Sequence, residues 1–214
     1  MKYWVLSILV AVISYCFGSL STIVLASNFA FRANLSRLGK GNVWLSNFRR
    51  IYGVKGFLRI AAVEIIRDVL PILLAGWLFG KVEHADVGKA LAAFCLIMGR
   101  MYPYIYELKG SCALLCMIVA SFCVSASVGA MIAVISAAVI IFTRYIPLGV
   151  VAGAFTEIVT SVLLIDDGIT EKVCIITGIA VIVHAVPSIT RILSGKEEKL
   201  SFKDDISYKF DEKF

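Results

Sequence analysis

Charge is scarce in this chain. Only 17% of its 214 residues are charged, against about 25% in soluble domains. Acid is missing altogether between Arg32 and Arg59. The two histidines, His84 and His184, are far apart in sequence. They leave too few ligands for the usual metal spacings. The six cysteines, Cys16, Cys95, Cys112, Cys116, Cys123 and Cys174, all lie in or beside apolar runs. That placement reads as buried thiols acting as small hydrophobes. Cys112 and Cys116 share a helix face without further ligands nearby. A disulfide-stapled, secreted framework is therefore excluded. There is no long basic tail, double-stranded-RNA module or zinc-finger spacing, so the net charge of +6 does not indicate nucleic acid.

What is present is apolar length. Hydrophobic residues make up 60% of the chain, with mean hydropathy +0.90. Long uncharged runs at that composition indicate an integral membrane protein. Residues 3–27 are too long for a signal peptide, have only Lys2 before them and end at a poor cleavage site. They read as a first spanning helix. A basic loop follows. The next run, 57–79, contains Glu64, Arg67 and Asp68, with Pro71 expected to bend or break it. A third run, 90–98, continues to Pro103. Residues 113–126 and 130–142 are two short helices joined at Ser127-Val128-Gly129, or one long tilted helix. Runs at 146–165 and 173–189 complete the set, and 196–214 is a charged tail.

The expectation is an all-α polytopic membrane protein with about seven transmembrane helices. Residues 1–195 form its single membrane domain. Basic residues favour the cytoplasmic side, which places the loop from Arg32 to Arg59 inside. That puts the amino terminus outside, and alternating seven spans puts the carboxyl terminus in the cytoplasm. The same alternation brings three polar segments to one cytoplasmic face.

The first segment is Gly39-Lys40-Gly41-Asn42 with Ser46, Asn47 and Arg50. Glycines let backbone amides turn toward phosphate oxygens. Lys40 adds a point charge and Arg50 a two-oxygen clamp. The plain alternative is a basic cytoplasmic loop with turn glycines. The second segment is Gly99-Arg100, Tyr102-Pro103 and Lys109-Gly110, where Arg100 and Lys109 meet one anion. Its alternative is an interfacial turn with snorkelling cations and a belt of Tyr102, Tyr104 and Tyr106. The third is His184, Ser188, Arg191, Gly195 and Glu197, or simply a helix end whose arginine complements the dipole. The cluster of Glu64, Arg67 and Asp68 reads as support for the basic loop.

In this order the segments resemble the bacterial membrane acyl-phosphate:glycerol-3-phosphate acyltransferase (PlsY) family, from residue 12 to about 199. Phe17-Gly18-Ser19-Leu20-Ser21 stands at that family's GS(I/L)P string, without the proline. Gly39 to Arg50 resembles G-S-G-N-x-G-A-T-N-x-x-R, with Lys40 for the serine, Trp44-Leu45 for Gly-Ala and Ser46 for threonine. Glu64, Arg67, Asp68 and Pro71 occupy D-x-x-K-G-x-x-P. Gly99-Arg100-Met101-Tyr102-Pro103 resembles G-H-x-F-P. Lys109-Gly110 survives from F-K-G-G-K-G-V-A-T, with Cys112 for its second lysine. Ser188 to Glu197 resembles N-I-x-R-L-x-x-G-x-E.

The resemblance implies acyl transfer from acyl phosphate to the 1-hydroxyl of glycerol 3-phosphate, giving lysophosphatidate and phosphate. It implies no cofactor and no metal. Lys40, Asn42, Ser46 and Lys109 are the implied catalytic groups. Gly39, Gly41, Asn47, Arg50, Arg100, Arg191 and Glu197 are the implied phosphate-binding groups. The implied partners are the two substrates, the bilayer of a bacterial cell membrane and other enzymes of phospholipid synthesis. The competing expectation is a non-catalytic relative that binds a lipid or phosphometabolite, or assists another membrane enzyme. A transporter is disfavoured, because no internal repeat or midplane broken-helix pair stands out.

Overall fold

The computed structural model describes residues 2–20, 45–104 and 113–195, with 45–57 as backbone alone. The described residues form α1 (Lys2–Ser19), α2 (Leu45–Gly80), α3 (Ala85–Met101), α4 (Leu114–Val124), α5 (Ala126–Thr143), α6 (Ile146–Leu164) and α7 (Gly168–Leu193). Helices satisfy their backbone groups internally, as an apolar surround requires. The chain divides into two compact units, residues 1–20 with 65–200 and residues 21–64 with 201–214. The described part of the second unit is the first portion of α2. The contacts that follow all lie within the first.

The short helix α3 is the hub. It packs against α1, α4 and α7, and its Leu96, Ile97 and Met101 are at most 1% exposed. Close approach at this hub depends on glycine. A Cβ on Gly18 would stand 2.1 Å from the Leu96 carbonyl oxygen, and one on Gly99 would stand 2.3 Å from that of Tyr15. Helices α2 and α3 form a hairpin through residues 81–84, and Gly88 leaves room for the Phe79 ring. Pro71 lies inside α2, which continues through it to Gly80. Of the two expectations, a bend or a break, the break does not occur.

The apolar stretch 113–142 is two helices. Ser125 is extended, φ −146° and ψ 120°, and serves as the end of α4 and the cap of α5. The break therefore falls two residues before the expected Ser127-Val128-Gly129 junction. Arg144 takes a left-handed conformation, φ 61°, and reverses the chain into α6. Pro147 stands in the first turn of α6, where a missing N–H costs no helix bond. Asp167 caps α7 by accepting from the Thr170 amide at 2.8 Å.

The expectation of about seven transmembrane helices is corrected. Among the described residues, only α5, α6 and α7 are long and apolar enough to cross a membrane. The reason is length and charge. With 11 residues, α4 reaches ~16 Å against a hydrocarbon core of ~30 Å. The apolar part of α1, Tyr3–Ser19, is also short. In α2 the charges at Arg59, Glu64, Arg67 and Asp68 leave residues 69–80 as the uncharged run. In α3, Asp86, Lys89 and Arg100 interrupt a helix buried mainly in protein. With the count of seven goes the cytoplasmic carboxyl terminus, which rests on alternating seven spans. The molecule is an all-α, multi-pass membrane protein. Large apolar side chains such as Phe142, Phe155, Leu163 and Val183 face outward, as a lipid surround permits.

Candidate anion site

In the second unit, α2 begins at Leu45, so Ser46 and Asn47 belong to its first turn and Arg50 to its second. The first amides of a helix have no carbonyl partner within it. Gly39, Lys40, Gly41 and Asn42 lie outside the described residues. So do Lys109, Cys112 and Glu197.

In the first unit, the end of α3 carries Arg100, Tyr102 and Pro103. The Tyr15 hydroxyl on α1 donates to the Tyr102 carbonyl at 2.7 Å. The Tyr102 ring meets His184 of α7 edge-on, with centroids 5.1 Å apart. His184, Ser188 and Arg191 follow at i, i+4 and i+7, so they share one face of α7. Arg191 Nη2 donates to Ser188 Oγ at 2.8 Å, in an exposed position. This face joins the second and third polar segments through Tyr102 and His184. Gly195, φ 67°, follows the helix cap, and its amide bonds the Ile192 carbonyl. That is the ordinary glycine stop of a helix, which gives the third segment's glycine a structural task.

Arg100, expected on a phosphate, is 5% exposed, and its Nη2 stands 3.8 Å from Oδ2 of the fully buried Asp68. Asp68 Oδ1 also accepts from Arg67, whose Nε lies at 3.0 Å and whose Nη2 completes a second contact. Arg67 Nη1 donates to the Leu20 carbonyl at the end of α1. Arg100 is thus part of the wall formed by α1, α2 and α3. Glu64, one turn before Asp68, is 2% exposed.

The sequence reading passed over one further polar group. Glu157 on α6 is buried, and Ser121 of α4 donates to its Oε1 at 3.1 Å. A lone acid in the run 146–165 was the available signal, because such residues in apolar helices are seldom idle. Among the described residues no set of three or more His, Cys, Asp or Glu is arranged to hold a metal ion.

The Asp167 carboxyl lies outside the spanning helices and is held below its ordinary value of 3.8. The Thr170 hydroxyl and then the Thr170 amide stabilise its ionised form.

The family model described as glycerol-3-phosphate acyltransferase matches residues 8–195. A glycerol-3-phosphate acyltransferase of Thermoanaerobacter pseudethanolicus is 23% identical over 201 residues, covering 94% of this chain and 98% of that protein. One from Macrococcus caseolyticus is 25% identical over 195 residues, covering 91% and 97%. The fold is similar to that of PlsY (YgiH), an integral membrane glycerol 3-phosphate acyltransferase, in its glycerol 3-phosphate form. The TM-score is 0.75 at 19% identity, over 91% of this chain and 96% of that one.

Proposed function

The chain belongs to the glycerol-3-phosphate acyltransferase family, and from that premise we propose that it transfers an acyl group from acyl phosphate to the 1-hydroxyl of glycerol 3-phosphate. The match across residues 8–195 is the observation that carries this reading. It also supports taking residues 1–195 as one acyltransferase-like domain followed by a charged tail.

The hydroxyl oxygen attacks the acyl carbonyl carbon. A new ester C–O bond forms as the bond from that carbon to the phosphate oxygen breaks. Phosphate leaves with the electron pair, and the hydroxyl proton passes to it. The products are lysophosphatidate and inorganic phosphate. Both substrates are anions, so cations and amide donors supply most of the binding and stabilise the departing charge. The assigned roles are Lys40 with the Gly39, Gly41 and Asn42 backbone on a phosphate, flanked by Ser46, Asn47 and Arg50. Lys109 and Arg191 take the second phosphate, with Glu197 near Arg191. Excess basic charge from Arg32 to Arg59 supports a cytoplasmic site in a bacterial cell membrane. Acyl phosphate, glycerol 3-phosphate and other phospholipid-synthesis enzymes are the partners this reading requires.

A non-catalytic relative is favoured by one specific observation, the pair Trp44-Leu45 where the resembled motif has Gly-Ala. Tryptophan and leucine are larger than the glycine and alanine of that motif. One assay separates the readings. Purified protein in lipid receives both substrates, and phosphate release is followed for the wild type, Lys40→Ala and Arg50→Ala. Release that needs glycerol 3-phosphate and is lost in both variants supports the enzyme. A folded wild type with no release above a mock preparation sinks it.

A further inference from the structure

The polar contacts linking the ends of α1 and α3 to the interior of α2 close into a ring. From α1, the Leu20 carbonyl accepts from Arg67 of α2. Next along α2, Asp68 accepts from Arg67 and faces Arg100 of α3 at 3.8 Å. Beyond Arg100, the Tyr102 carbonyl accepts from Tyr15 of α1 at 2.7 Å. Tyr102 then touches His184, the first member of the α7 face that carries Ser188 and Arg191. Asp68 is the acid of this ring that meets both guanidinium groups, and it is 0% exposed.

A buried arginine needs a partner. Asp68 fixes Arg67 by hydrogen bonding and holds Arg100 by charge alone, at 3.8 Å, where low dielectric strengthens the attraction. The ring leaves Arg100 out of solvent, so its charge acts on the site through structure. The two positions at issue, 68 and 100, are places where the chain departs from the motifs it resembles, and the departures meet.

We infer that Asp68 is a positioning residue for acyl transfer. It anchors Arg100 and, through Arg67, the end of α1. By that means it fixes the end of α3 and the Tyr102–His184 contact that orients the Arg191 face. This inference rests on the acyl-transfer reading above.

The test is a cycle of four full-length proteins in lipid: wild type, Asp68→Asn, Arg100→Gln and the double variant, with Asp68→Glu added. Wild-type turnover is measured first, and its absence counts against the acyl-transfer reading alone. Where turnover exists, Asp68→Asn should lower kcat about tenfold or more, toward the ~100-fold that a misplacement of 1 Å produces. The fall in kcat/KM should match the fall in kcat, the signature of lost transition-state alignment. Asp68→Glu should recover most of the loss, and the double variant should be no slower than the worse single one. Unchanged kcat in Asp68→Asn, or losses that multiply in full, would overturn the inference. Thermal unfolding of the same four proteins reads the linkage without turnover. Non-additive shifts are expected, and additive ones contradict it. If Asp68→Asn does not fold, Arg100→Gln alone replaces it. That variant removes the charge that Asp68 faces, so kcat should fall, and an unchanged kcat overturns the inference.

Discussion

Gly99 lies so close to Tyr15 that a Cβ on it would stand 2.3 Å from the Tyr15 carbonyl oxygen. No rotamer relieves that clash, because the neighbour is backbone. Gly99→Ala must separate α1 from α3 and weaken the hub. The expected cost is about 1–3 kcal/mol, read as a lower unfolding temperature in detergent. Gly168→Ala is the control, because a Cβ there meets nothing within 4 Å. Equal stability of the two variants would contradict this packing.

Ser121 and Glu157 give a second prediction. Ser121→Ala removes the donor to Oε1 and leaves a buried acceptor unsatisfied, at a cost of about 1–3 kcal/mol. Glu157→Gln keeps an oxygen acceptor opposite Ser121 and should cost less. Unfolding temperatures of the two variants and their combination check the order. A larger loss in Glu157→Gln would show that the ionised group itself matters.

The Asp167 cap predicts a pH dependence. Its folded pKa is depressed below 3.8 by Thr170. The cap's stabilisation is therefore complete above 3.8 and is lost as pH falls through the lower, folded value. Asp167→Asn should flatten this acid limb, and Asp167→Ala should remove about 1 kcal/mol of helix stability near neutral pH. Circular dichroism between neutral pH and acid checks both.

Arg191 predicts a kinetic change. It is exposed and shares one face of α7 with the half-buried His184 and Ser188. Arg191→Ala should raise KM for glycerol 3-phosphate about tenfold, as expected for a charge-assisted hydrogen bond of about 1.5–3 kcal/mol. Initial rates across substrate concentration measure it. An unchanged KM would remove Arg191 from the phosphate.

Local features of this fold were legible in the residues, and those set by distant partners were not. The apolar runs and the polar segments around Arg100 and Arg191 carry local signals. The helix count does not. Hydropathy records that 90–98 and 113–124 are apolar, but not whether protein or lipid covers them. Leu96 and Met117 are fully buried in protein, which is why α3 and α4 need no spanning length. The pairing of Arg100 with Asp68 is not legible, because Asp68 lies 32 residues away on another helix. Nothing in the local pattern joins them. The acid Glu157 was visible in its run, yet its purpose depended on Ser121, which is just as distant in sequence.

The central claim is acyl transfer, and product stoichiometry tests it most directly. Purified wild-type protein in lipid is given acyl phosphate and glycerol 3-phosphate, and both products are quantified by mass spectrometry and phosphate assay. Lysophosphatidate acylated at the 1-hydroxyl should appear in equal amount with phosphate and only when both substrates are present. Phosphate without lysophosphatidate, or neither product from folded protein, would contradict it.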